Sequence, residues 1–223
     1  MDKITLDIPE KKKYEYIESY RSLRTNIEIY GKDMKVIGVT STKPLEGKTS
    51  VAFGLAQALA QVGKKVSFID GDMRKSKVAS WVKDEKNITS IQTYFNDKKQ
   101  VEDIIYNTNI QGLDIIFAGE ATSRSTELLD QSDLSGLFFN LKTKYDHIII
   151  DTPSYGSITD AAIILKECDG AVLVIEEDKV SHKDAKEVVD NIQQSQCEII
   201  GVVINKAIQK QNINPDSSYY KVD

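Results

Sequence analysis

The sequence is poor in the residues that hold small folds together from outside. Among 223 residues there are two cysteines, Cys168 and Cys197, both in hydrophobic surroundings and without CxxC or Cys/His spacing. That excludes a disulfide framework, gives zinc no ligand set, and fits a reducing cytoplasm. Four prolines and no Pro/Gly/Ser-rich stretch exclude a low-complexity or collagen-like chain. The two histidines, His147 and His182, have no Ser or Cys partner spacing, so triad hydrolysis has no support. Positive charge is not in excess: 29 Lys+Arg stand against 34 Asp+Glu, a net charge of -5. This argues against an electrostatic nucleic-acid binder and leaves only a local phosphate site open. Long apolar runs are missing as well. AVLVI at 171–175 is far below the ~18 residues of a spanning helix, and MDKITLDIPEKKK has no apolar signal core. The expectation is a soluble protein that meets a membrane only through a partner. The single tryptophan, Trp81, is expected to pack rather than to touch a ligand.

What is present is an alternation of short β-branched runs and helix-length stretches. The runs are KVIGVT (35–40), KVSFID (65–70), LDIIFA (113–118), HIIID (147–151), AVLVI (171–175) and IIGVVI (199–204). Nearly continuous apolarity is what strands buried on both faces need, so a doubly wound, mostly parallel α/β sheet is predicted. Between the runs lie GKTSVAFGLAQALAQVG, STELLDQSDLSGLFFNLKTKY, SITDAAIILKEC and SHKDAKEVVDNIQQSQ, with Ser125 and Ser181 placed as N-caps. Residues 71–112 read as an irregular excursion beside the sheet, with helical pieces near 76–82 and 88–95. Ahead of the first run, residues 14–30 form an amphipathic helix. Tyr20, Leu23, Ile27 and Tyr30 share one face, and Glu18, Arg21 and Arg24 fan over another. The chain divides into a leading helix (1–31), a main domain (32–206) and a tail (207–223).

The loop after KVIGVT carries the first chemistry. It runs through Pro44, Leu45 and Glu46 into Gly47-Lys48-Thr49-Ser50 at the start of a helix. Backbone N–H groups there face an anion, reinforced by the helix dipole. Lys48 would reach the β/γ-phosphates of ATP and Thr49 would ligate Mg²⁺. A complete GxxxxGK[ST] pattern asks for glycine at 42, where Thr42 stands. Two further strand ends carry acids: Ile69-Asp70-Gly71-Asp72-Met73-Arg74, and Ile150-Asp151-Thr152-Pro153. The carboxyl ends of parallel strands are where this architecture binds ligands. Asp151 reads as the Walker-B acid holding Mg²⁺ through water, and the i, i+2 spacing turns Asp70 and Asp72 to one side.

Taken together, the P-loop, IDGDMR and IIIDTP resemble the bacterial tyrosine kinases (BY-kinases) of capsule and exopolysaccharide synthesis. TELL (126–129), DAAIILKECDGAVLVI (160–175) and GVVINK (201–206) agree with this family. Most of these features are shared with the deviant-Walker P-loop NTPases, including the Min and Par ATPases. Glu18, Arg21 and Arg24 fit ExxRxxR, a motif that in the kinase family joins subunits of a ring. The resemblance implies that Lys48 and Thr49 bind phosphate and Mg²⁺, that Asp72 and Asp151 position the metal, and that Asp70 orients or deprotonates a tyrosine hydroxyl. Arg74 matches the arginine after the second motif, and Asn205 is assigned to adenine. It also implies a cytoplasmic kinase chain recruited to the inner membrane face by the cytoplasmic tail of a transmembrane adaptor, a tyrosine phosphatase as counterpart, and no nucleic-acid partner.

Two departures stand out. Leu45 occupies a position that is usually glycine in the family. Leucine is harmless there at an ordinary φ and costs ~1 kcal/mol or more at a positive one. The tail offers only Tyr219 and Tyr220 as sites of autophosphorylation in trans, where family members often carry a dense cluster. The rival readings are a Min/Par-type nucleotide switch, with Lys43 five residues before Lys48 as its dimer-crossing lysine, and a catalytically weak ATP-binding assembly partner.

Overall fold

The structure is a computed structural model that describes residues 2–7, 14–76, 78–83, 88–97, 99–155 and 159–207. All six predicted runs become strands: β2 (Val36–Ser41), β3 (Val66–Asp70), β5 (Leu113–Ile116), β6 (His147–Asp151), β7 (Gly170–Glu176) and β8 (Glu198–Asn205). Two short strands join them, β1 (Asp2–Lys3) and β4 (Tyr106–Asn107), giving an eight-stranded sheet in the order β1-β4-β5-β3-β6-β2-β7-β8. Among the strand pairs of the described residues, only β4–β5 is antiparallel, apart from an isolated bridge between Leu6 and Val82. Every residue of β2, β3 and β6 is buried, which is why these strands are predominantly apolar; β8, at the edge, is partly exposed throughout.

Helices cover both faces. On one side α1 (Tyr14–Tyr30) and α2 (Lys48–Ala60) pack over the sheet through Ile27, Leu55 and Leu59. Tyr20 lies flat on Gly54, where any Cβ would meet its ring at 2.3 Å, and its hydroxyl donates to Ser50 O at 2.9 Å. On the other side lie α3 (Ile91–Asp97), α4 (Ser125–Gln131), α5 (Leu134–Lys142), α6 (Thr159–Lys166) and α7 (His182–Gln194). Leu137, Leu141, Ile164, Val188 and Ile192 form that second core. Trp81 packs edge-on against Phe53 with ring centroids 5.0 Å apart, as expected of a packing residue. Cys168 and Cys197 are buried free thiols.

Four local expectations need correction. The predicted helix over 125–145 is two helices, because Ser132 is extended and Asp133 caps the second by accepting from Gly136 N. Ser125 is not an N-cap. It is the first residue of α4, fully buried, with its hydroxyl donating to Asp160. Ser181 does cap α7, accepting from Asp184 N. Tyr30 is 71% exposed, since α1 ends there and the chain turns away at Gly31 towards β2. Residues 2–7 lie at the sheet edge rather than with the helix, burying Ile4 and Leu6; an alternating run this short gives too weak a period to read as a strand.

Candidate nucleotide site

The loop between β2 and α2 is shaped from inside by Glu46. Its buried carboxylate accepts from Thr42 Oγ1 at 2.8 and 3.0 Å and from Lys43 N at 3.0 Å. The threonine at the expected glycine position thus ties the loop shut. Leu45 adopts φ 71° and Gly47 φ 89°, both left-handed. Leu45 is therefore in the costly alternative, at ~1 kcal/mol, with its side chain 84% exposed. From below, Asn205 Nδ2 donates to Glu46 O (2.8 Å) and Lys206 Nζ to Leu45 O (2.7 Å). A Cβ on Gly47 would meet Asn205 Nδ2 at 2.1 Å, so both φ and space require glycine. Pro44 completes the loop and Ser50 lies in the first turn of α2, which has no side-chain cap and so leaves its leading N–H groups available to an anion.

Lys48, the first residue of α2, reaches Asp72 Oδ2 at 3.4 Å and Asp151 Oδ1 at 3.6 Å. Thr49 Oγ1 donates to Asp151 Oδ2 at 2.6 Å. Burial works against the Lys48 ammonium, but Asp151, Asp72 and Asp70 outweigh it and raise its pKa. Burial pushes the Asp151 carboxyl up to about 6, against the pull of Lys48 and Thr49. Asp70 is pushed up to about 7, again mainly by burial. Its carboxylate accepts from Ser76 Oγ, from Ala118 N at 3.4 Å and from Asp72 N at 3.3 Å. Asp151 Oδ1 is buried and makes no hydrogen bond. A carboxylate oxygen held only by a long ion pair, beside a threonine hydroxyl and the Asp72 carboxylate, is a hard-oxygen donor set that suits a Mg²⁺ ion.

The other predicted residues fall in three places. Arg74 pairs with Asp160, Nε to Oδ2 at 2.9 Å and Nη2 to Oδ1 at 3.4 Å, and Nη2 donates to Thr126 Oγ1 at 2.9 Å. Asn205 holds the P-loop backbone. On α1, Arg21 pairs with Glu18 at 2.6 Å, and Arg24 leans on α2, donating to Ala58 O at 3.3 Å. Lys43 pairs with Asp184 at 3.2 Å in the same chain. Tyr219 and Tyr220 lie outside the described residues. Sequence reasoning did not single out Glu46 as the loop's internal tie, nor Ser76, Ser125, Thr126, Asp160 or Lys206. The stretches TELL and DAAIILK carried a signal, but nothing in either names Arg74 as their common partner.

Residues 34–210 match the family model described as AAA domain. The tyrosine-protein kinase CpsD of Streptococcus pneumoniae is 34% identical over 91% of this chain and 90% of its own. The kinase domain of VpsO superposes with a TM-score of 0.77 at 30% identity, covering 87% of this chain and 97% of that one. The septum site-determining protein MinD of Pyrococcus horikoshii, complexed with Mg-ADP, is more distant, with a TM-score of 0.65, 26% identity and coverage of 76% and 69%. The P-loop, the two acid-bearing strand ends and these matches over nearly the whole length have one reading: a nucleotide-binding chain that belongs to the AAA-domain P-loop proteins and, within them, to the bacterial tyrosine kinases.

Proposed function

We propose that this chain is an ATP-dependent protein-tyrosine kinase of a capsular or exopolysaccharide synthesis system. The convergence of Lys48, Thr49, Asp72 and Asp151 at the strand ends is the observation that supports it best. The loop N–H groups and Lys48 bind and orient the phosphates. Thr49, Asp72 and Asp151 would hold Mg²⁺, which would neutralise charge developing on the transferred phosphoryl group. Asp70, whose carboxyl burial pushes up to about 7, orients or deprotonates the tyrosine hydroxyl. Asn205, beneath the loop, is assigned to the adenine edge.

The acceptors in this reading are Tyr219 and Tyr220, entering the site of a neighbouring subunit. Glu18, Arg21 and Arg24 join the subunits of a ring; the Arg forks re-pair across the interface with carboxylates. A transmembrane adaptor brings the kinase to the inner face of the membrane through its cytoplasmic tail, and a tyrosine phosphatase reverses the modification. No helix among the described residues is long and apolar enough to cross a membrane, so recruitment through a partner is the arrangement proposed.

Incubation with Mg-ATP followed by mass spectrometry tests this. Phosphate is expected on Tyr219 and Tyr220, lost with Lys48→Met, and its appearance only elsewhere would sink the acceptor assignment. The φ of Leu45 favours one competing reading, a catalytically weak assembly partner. Under that reading phosphotyrosine stays at a trace level both with the chain alone and with a partner peptide, whereas the kinase reading allows the adaptor tail to activate the site. The Min/Par-type switch is set apart by ATP hydrolysis with no phosphotyrosine under either condition.

A further inference from the structure

Arg74 lies two residues beyond Asp72, and the two are tied through the backbone. Asp72 Oδ1 accepts from Arg74 N at 3.3 Å and from Lys75 N at 3.0 Å, which leaves Oδ2 directed at Lys48. This short loop is anchored at its base by Gly71 N to Asp151 O (2.9 Å) and on its far side by Thr122 N to Met73 O (2.9 Å). The Arg74 side chain then fastens it to two helices. Asp160 of α6, 1% exposed, takes both prongs of the guanidinium; it also accepts from Ser125 Oγ at 2.5 Å and from Thr126 Oγ1. Burial alone would raise the Asp160 carboxyl, yet the Arg74, Ser125 and Thr126 hydrogen bonds hold it below the usual carboxylate value. The acid is thus ionised and saturated, with no oxygen left for a ligand.

We infer that Asp160, with Ser125 and Thr126, is a positioning group that acts through Arg74 to hold the 71–75 loop in the conformation that presents Asp72 to the nucleotide site. Arg74 is then a positioning residue, not one that touches phosphate. The inference deepens the kinase reading and rests on Asp72 serving that site. A bidentate pair fixes a guanidinium in both direction and plane, and a shift of about 1 Å in a metal-positioning carboxylate is costly to catalysis.

A double-mutant cycle on Asp160→Asn and Asp72→Asn tests it, with two readouts: the rate of phosphotyrosine formation, and the Mg²⁺ concentration at half-maximal ADP binding in calorimetry. Asp160→Asn is expected to slow phosphorylation about 10-fold and raise the Mg²⁺ midpoint about 3-fold, with ADP affinity at saturating Mg²⁺ kept within about 2-fold. In the Asp72→Asn background it should do neither, because residues acting as one unit are not additive. Losses that multiply in either readout overturn the inference, as does an Asp72→Asn chain that matches the parent in both. A parent chain that forms no phosphotyrosine, alone or with a partner peptide, removes the kinase reading, and the Mg²⁺ cycle alone then decides. Should Asp160→Asn fail to fold by circular dichroism, Thr126→Val enters the same cycle under the same criteria, since it keeps the ion pair and removes one Arg74 acceptor.

Discussion

Two carboxylate clusters flank the loop after β3, and they differ in how completely they are satisfied. Asp160 is buried and every partner it needs is present: a guanidinium fork and two hydroxyls. In the other cluster Asp70 and Asp151 are buried to a similar depth and Asp72 is half-buried; one ammonium, at 3.4 and 3.6 Å, serves Asp72 and Asp151, and Asp151 keeps an oxygen without a hydrogen bond. Burial accordingly raises Asp70 and Asp151, while hydrogen bonding lowers Asp160. A closed cluster builds the fold. An open one keeps charge in reserve for a ligand that brings phosphate and a cation.

That contrast can be broken from either side. The largest effect is expected for Lys48→Met, which leaves three acids facing one another and removes the phosphate contact: phosphotyrosine formation should fall by at least about 100-fold, measured by initial rate. Next comes Arg74→Ala, which strands the Asp160 charge in the interior. Loss of one partner of a buried pair costs about 3–5 kcal/mol, and the partial exposure of Arg74 sets the expectation at about 2–3, read by urea denaturation.

The two clusters should also give opposite pH limbs. Asp70 and Asp151 titrate higher folded than unfolded, so the folded state binds the extra protons and their contribution is lost as pH rises through about 6 and about 7. Asp160 titrates below 3.8, so its contribution is present above that value and lost as pH falls through its folded pKa. The urea midpoint of the parent should therefore rise from pH 8 to pH 5.5 and drop below pH 4. Asp70→Asn should flatten the upper limb and spare the lower.

Smaller effects concern the periphery. Leu45→Gly relieves a left-handed leucine and should stabilise the chain by up to about 1 kcal/mol in thermal melts, offset in part by glycine's entropy in the unfolded chain. An unchanged ATP affinity in that variant would mark the leucine as neutral for binding. Arg21→Ala removes an exposed i, i+3 pair and should change monomer stability by less than about 0.5 kcal/mol. A drop in assembly mass by sedimentation under the same substitution is expected if α1 joins subunits.

Most of the sheet and half of the site were legible because they rest on local patterns. Val36 to Val39 and Ile148 to Ile150 are apolar runs because both faces are covered, and Gly47-Lys48-Thr49 follows a strand after a five-residue loop. The break between α4 and α5 was missed: Ser132, Asp133, Ser135 and Gly136 weaken the helical run, but Asp133 reads equally as a surface residue until it is seen capping Gly136 N. Nor could Ser125 be read correctly, because the partner that draws its hydroxyl inward, Asp160, lies 35 residues away.

By itself the sequence determined the α/β architecture, the phosphate loop and the acids at the strand ends, since hydrophobic period and chain adjacency encode these within a few residues. Only the tertiary structure decided which acids are open and which are closed. Asp72 and Asp160 are the same residue type, and their difference is set by what folding brings against them: two loop N–H groups and a shared ammonium for one, a guanidinium and two hydroxyls for the other. Burial makes that difference large, because a carboxylate removed from water depends on whatever donors the fold supplies.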